Sequence, residues 1–215
     1  RFVFESHESD GYIENDFKDS NTTNDRDELT SRAKFAWQVK ENWSLNLSLA
    51  AIDIDNGYDA FSLDNNRHTL SDEPGFDRQN SAYVSLKSSW QLDGIDIDVL
   101  WNQSDSDLDY GYDEDWSFTG IHPWGYTSTD HYFRKRDTTS AEIRLLSNES
   151  GRVFADTTDW VLGLYYLSSK ETLQRQYTFL PSEFLSDYEF DTFAIFSQLD
   201  VALSDRMTLS AGLRL

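Results

Sequence analysis

The sequence predicts an all-β protein, an antiparallel up-and-down transmembrane β-barrel to which this chain contributes about nine strands. Three observations carry that expectation. Apolar and polar side chains alternate with period two over runs of about ten to thirteen residues, longer than the ~5–6 of soluble strands and matched to the ~9–11 that cross a bilayer. The connections between runs alternate between minimal turns and polar stretches of roughly twenty residues, as in barrels with short turns on one side of a membrane and long loops on the other. Trp37, Trp43 and Trp90 lie close to short turns on the apolar face, where an interfacial aromatic girdle sits.

The hairpin between Glu28 and Asp55 sets the pattern. Leu29, Ser31, Ala33, Phe35, Trp37 and Val39 point one way, and Glu28, Thr30, Arg32, Lys34, Ala36 and Gln38 the other. After Lys40, Glu41 and Asn42 the alternation resumes with Trp43, Leu45, Leu47, Leu49 and Ala51. A three-residue turn there predicts the pairs Val39 with Trp43, Trp37 with Leu45 and Phe35 with Leu47, all on one face.

The other elements follow in order. Residues 1–8 read as the end of a strand and 9–27 as a solvated loop rich in Asp, Asn, Ser and Thr. A second long polar stretch covers about 56–78. Ala82, Val84, Leu86, Ser88, Trp90 and Leu92 then face Ile95, Ile97, Val99 and Trp101 across Asp93-Gly94, a predicted type I′ turn. A third long stretch, 105–137, leads to a strand over 138–146, a Gly-containing link over 147–159 and an aromatic strand over 160–168. A fourth, 170–189, precedes the last hairpin, where Val201 pairs with Leu209 and Leu203 with Met207 across Ser204, Asp205 and Arg206. The faces opposite the apolar ones carry Arg32, Lys34, Lys87, Glu142, Arg144 and Arg214, which suits a wet barrel interior.

Composition narrows the function. With 39 acidic against 18 basic side chains the formal charge is −21, which argues against nucleic acid as a partner. There is no Cys, hence no disulfide and no thiolate chemistry. No run of ~18 apolar residues is present to form a spanning helix, a condition that barrel strands do not need to meet. The sequence opens on Arg1-Phe2-Val3 and stops inside an alternating run at Leu213-Arg214-Leu215, and an odd number of strands does not close a bacterial barrel. Residues 1–215 are therefore expected to be part of a barrel domain, with the remaining strands elsewhere.

Several stretches resemble the barrel of TonB-dependent outer-membrane receptors. They are Asp10-Gly11-Tyr12-Ile13-Glu14-Asn15, the run from Asp55-Asn56-Gly57-Tyr58 through Asp64-Asn65, and Tyr110-Gly111-Tyr112-Asp113-Glu114-Asp115-Trp116. The aromatic strand from Trp160 to Tyr166 with its internal Gly163, and the last hairpin from Phe196-Ser197-Gln198-Leu199 to Gly212-Leu213-Arg214, complete the similarity, which extends over essentially the whole chain. The resemblance implies a barrel of about 22 strands filled by a plug. It implies location in the bacterial outer membrane and import of a scarce nutrient such as a ferric siderophore, cobalamin or an oligosaccharide, with energy supplied through TonB. It also implies lipid and lipopolysaccharide as neighbours, a small-molecule ligand, no cofactor and no bond-making chemistry. The sequence has no plug, no TonB-contacting segment and no aromatic-ended final strand, so the coupling step has no place in it.

Candidate ligand contacts come from the third long stretch, where Trp116, His122, Trp124 and Tyr126 offer rings that can stack on a sugar or hold a chelate. Asp105-Ser106-Asp107-Leu108-Asp109 invites a calcium-loop reading, but Tyr110 and Trp116 stand where such a loop needs Gly and Glu. His7, His68, His122 and His131 show no metal-ligand spacing, and no catalytic motif fixes a pair of carboxylates. The alternatives are a soluble acidic β-sandwich that binds carbohydrate and a β-rich glycosidase.

Overall fold

The computed structural model describes residues 1–215 and realises the alternation as strands. They are β1 (Phe2–Ser9), β2 (Glu14–Asn15), β3 (Arg26–Lys40), β4 (Trp43–Tyr58), β5 (His68–Thr69) and β6 (Gly75–Gln91), followed by β7 (Ile95–Asp113), β8 (Thr129–Ser147), β9 (Thr158–Tyr177), β10 (Phe184–Ser204) and β11 (Met207–Arg214). Nine of them form one antiparallel sheet in the order β1-β3-β4-β6-β7-β8-β9-β10-β11, each beside its neighbour in the chain. The short β2 and β5 pair parallel to each other among the loops. A sandwich would divide the strands between two packed sheets. This meander does not, so the soluble sandwich is set aside.

Register follows the faces. Trp37 pairs with Leu45, Phe35 with Leu47, Trp90 with Ile97, Leu86 with Trp101 and Val201 with Leu209. The turns themselves differ from expectation. Lys40 pairs with Trp43 and Ser204 with Met207, so both turns hold two residues, and Val39 and Leu203 are bulged out instead of pairing with Trp43 and Met207. A two-residue turn matches strand twist better than a three-residue one, and a bulge absorbs the extra residue. At Asp93-Gly94 only Gly94 takes a positive φ, +79°, so the turn is not type I′.

The strands are also longer than the sequence suggests, running from 15 residues in β3 to 21 in β10. Most of 105–137 is strand: Asp105, Asp107 and Asp109 stand opposite Asp137, Lys135 and Phe133. The stretch 170–189 is likewise the two ends of β9 and β10 around a short connection over 178–183. Apolar alternation stops there because both faces are polar, while the hydrogen-bonded ladder continues.

Burial is inverted relative to a soluble domain. Of 17 buried residues only Ile13 and Ala194 are apolar, whereas Trp37 is 62% exposed, Phe193 66% and Phe35 59%. A soluble monomer does not leave an apolar sheet face of this extent uncovered. At the short-turn end of that face Trp43 stacks on Trp90 with centroids 6.1 Å apart, and its Nε1 donates to Ser88 Oγ at 2.9 Å. Trp160 Nε1 donates to Gly151 O, also at 2.9 Å. Indoles that bury their rings and keep the N–H satisfied suit a membrane interface.

The opposite face is polar. Gln38, Ser44, Ser89, Asp98 and Arg144 follow one another across five strands. Lys87 Nζ lies 2.9 Å from Asp98, and Arg144 pairs with Glu142. The row continues to Gly163 and Phe196, where the Phe196 ring occupies the space above the glycine: a Cβ on Gly163 would lie 2.0 Å from Phe196 Cζ. Gly163→Val is expected to lower the melting temperature in detergent, and adding Phe196→Ala to recover much of that loss. Equal losses in the single and double variants would show that the ring is not what requires glycine.

Candidate functional site

At the long-loop end, the polar faces of β4, β7, β8 and β9 gather Tyr58, Tyr110, Tyr112, Asp130, Tyr132, Arg175 and Tyr177. The register places them: Tyr110 pairs with Tyr132 and Tyr132 with Arg175, while Tyr112 pairs with Asp130 and Asp130 with Tyr177. Asp130 is buried, and Arg175 grips it through Nε to Oδ1 at 2.8 Å and Nη2 to Oδ2 at 2.6 Å. Tyr132 Oη adds a donor to Oδ2 at 2.9 Å. Burial alone would raise the Asp130 pKa; the bonds from Arg175 and Tyr132 outweigh it and hold the carboxyl below its ordinary range. The guanidinium also lies 5.1 Å from the centroids of Tyr132 and Tyr177, so one cation orders three side chains. Burial, with Tyr58 beside it, pushes the Tyr110 hydroxyl upward, keeping it a neutral donor.

The loops bring further rings to this end. Phe61 stacks on Trp116 at 5.0 Å and touches Tyr112 and Tyr58 at 5.6 and 5.8 Å. His122 stacks on Tyr126 at 4.9 Å, with its Nε2 3.0 Å from Asp115 O, and Tyr126 meets Phe179 edge-on at 5.9 Å. Trp124 is 85% exposed at the loop tip. Of the four residues named from sequence, His122 and Tyr126 are thus brought together, Trp116 belongs to the Phe61 group, and Trp124 stands apart. Arg175, Asp130, Phe61 and the tyrosines were missed because their stretches read as loop. The signal was present in the i, i+2 repeats Tyr110/Tyr112 and Asp130/Tyr132.

Buried hydrogen bonds tie the loops to the sheet. Asp59 Oδ2 accepts from Asn15 Nδ2 at 2.7 Å, Thr23 Oγ1 at 2.6 Å and Thr69 Oγ1 at 2.9 Å. Asn15 and Thr69 are the inward residues of the β2–β5 bridge. Beside them on the exposed side, His68 Nδ1 lies 3.1 Å from Asp16 Oδ1 and 3.8 Å from Glu14 Oε2. The hydrogen bond and charge of Asp16 raise the His68 pKa, so the trio is held by an imidazolium. Asp105, Asp107 and Asp109 alternate along β7 and do not wrap around one point, and Lys135 Nζ is 3.3 Å from Asp107. The largest surface groove, about 450 Å³ beside Asp107, Lys135, Gln174 and Asp187, opens on the other face of the sheet, away from the Asp130–Arg175 cluster.

No protein-family model and no curated protein matches the sequence. Solved structures do. The ferric yersiniabactin uptake receptor FyuA from Yersinia pestis superposes with a TM-score of 0.74 at 15% identity, over 99% of this chain and 32% of that one. The outer membrane transporter YddB from Escherichia coli gives 0.63 at 10% identity, over 99% and 33%. The copper transporter OprC gives 0.58 at 13% identity, over 99% and 31%. This chain spans about a third of the length of each. Its nine-stranded meander therefore has the fold of part of a transporter barrel.

Proposed function

We propose that residues 1–215 are part of the barrel of a TonB-dependent receptor in a bacterial outer membrane, and that it imports a scarce small molecule without chemical conversion. The observation that carries this reading is the uncovered apolar face: a band about ten residues long, starting at the short turns and ending where charged ladders begin, has the height of a bilayer core. The open edges of β1 and β11 require further strands, since an apolar sheet in lipid leaves no edge unpaired. The fold of FyuA, YddB and OprC supports transport as the activity. Ferric siderophore, cobalamin and oligosaccharide are the cargo classes, and the Asp130–Arg175 cluster with Trp116, His122, Trp124 and Tyr126 is the proposed capture surface. Energy input through TonB and the plug is part of the same proposal.

The absence of Cys makes the test free of background. Single cysteines at each position from Leu45 to Asp55, spin-labelled in membranes, should show oxygen access alternating with period two up to about Ala51 and access to a water-soluble relaxant at every position beyond. Uniform access to the water-soluble relaxant would overturn the reading.

A further inference from the structure

Three carboxylates at the loop end, Asp59, Asp113 and Asp115, are buried at 4–5% exposure, and none takes part in an ion pair. Two are well supplied with donors. Asp115 accepts from the Ser117 amide and hydroxyl and from the Ser128 amide, each at 2.9–3.0 Å, and Asp59 has its three donors. Asp113 is different. Its Oδ1 accepts from the amides of Asp115 and Trp116 at 3.1 Å, but Oδ2 is fully buried without a partner, and so is Ser71 Oγ. Both residues line one small cavity with Asp59 and Trp116.

That cavity has no room for a water molecule. A buried carboxylate oxygen with neither donor nor counter-charge is strongly disfavoured. A bare hard cation has oxygen contacts of about 2.3–2.6 Å, against about 2.7–2.8 Å for a hydrogen bond from water, so it fits where water does not. The donors are all oxygens, which suits calcium and not a metal seeking imidazole or thiolate; magnesium keeps its own waters. We infer that Asp113, Ser71 and Asp59 form a calcium-class site that ties the end of β7 to the β4–β5 and β5–β6 connections. The site also reaches the capture surface: Trp116, held at φ +60°, donates its amide to Asp113 and lays its ring on Phe61. The inference does not depend on which cargo the barrel carries. With few ligands, affinity should match the weak extracellular class, about 0.1–1 mM.

The test uses the intact protein in detergent, stripped with a chelator and titrated with Tb³⁺ under tryptophan excitation. Saturable sensitised emission is expected, displaced by Ca²⁺ and not by equal Mg²⁺. Asp113→Asn should weaken Ca²⁺ binding, read by calorimetry, tenfold or more, and Ser71→Ala several-fold. Trp116→Phe should keep Ca²⁺ binding and lose most of the emission, an effect that terbium scattered over surface acids would not show. If Asp113→Asn fails to fold, Ser71→Ala and Trp116→Phe still decide. Emission unchanged in all variants would overturn the site. So would a folded Asp113→Asn variant as stable as the parent, with Ca²⁺ affecting neither, because Oδ2 would then carry a proton.

Discussion

Replacing Leu86 by Arg should destabilise the folded barrel by about 2–4 kcal/mol, whereas Ser85→Arg, one residue earlier, should cost little. Leu86 lies in mid-band between Leu47 and Trp101, while Ser85 lies between Ser48 and Asn102 on the face that carries Lys87 and Asp98. In a bilayer an Arg at the first position has no water within easy reach; at the second it enters a polar interior. Denaturant unfolding in lipid vesicles measures the difference. Equal losses at the two positions would mean that both faces meet the same solvent, and the membrane reading would fail with them.

The same contrast between faces explains what the sequence disclosed. Register was readable wherever one face is apolar and the other polar, because a slip of one residue would exchange them; Trp37 with Leu45 and Leu86 with Trp101 were accessible for that reason. The bulges at Val39 and Leu203 were not, since a bulge at a turn leaves the alternation beyond it intact. Past the apolar band, Asp107 and Lys135 or Arg136 and Glu171 make ladders with polar residues on both faces, and period two loses its contrast although the strand goes on. The loop-end cluster was hidden more deeply. Asp130 and Arg175 are 45 residues apart, and His68 and Asp16 are 52 apart. Only the strand pairings, and the loop contacts they bring together, make these residues neighbours. Stacking residues could be named in a loop, but the arginine that orders them could not.

Removing that arginine gives the second large effect. In Arg175→Met the buried Asp130 carboxylate keeps only the Tyr132 and Tyr112 hydroxyls as donors, and stranding it should cost about 1–3 kcal/mol at neutral pH. The pH dependence distinguishes this from lost packing. In the parent the Asp130 pKa is depressed, so the pair contributes stability that is present above the unfolded value of about 3.9 and is lost as pH falls through the lower folded value. In the variant burial dominates, the pKa rises, and protonation relieves the stranded charge. The gap between parent and variant should therefore be wide at neutral pH and close as pH falls below about 4. Arg175→Lys, which keeps the charge and loses the two-pronged grip, should fall between them, and Asp130→Asn added to Arg175→Met should recover part of the loss. A gap that stays constant with pH would assign the effect to the stacking of Arg175 on Tyr132 and Tyr177. If this cluster is the capture surface, the same variant should also bind cargo more weakly, because the side chain that orients both rings is gone.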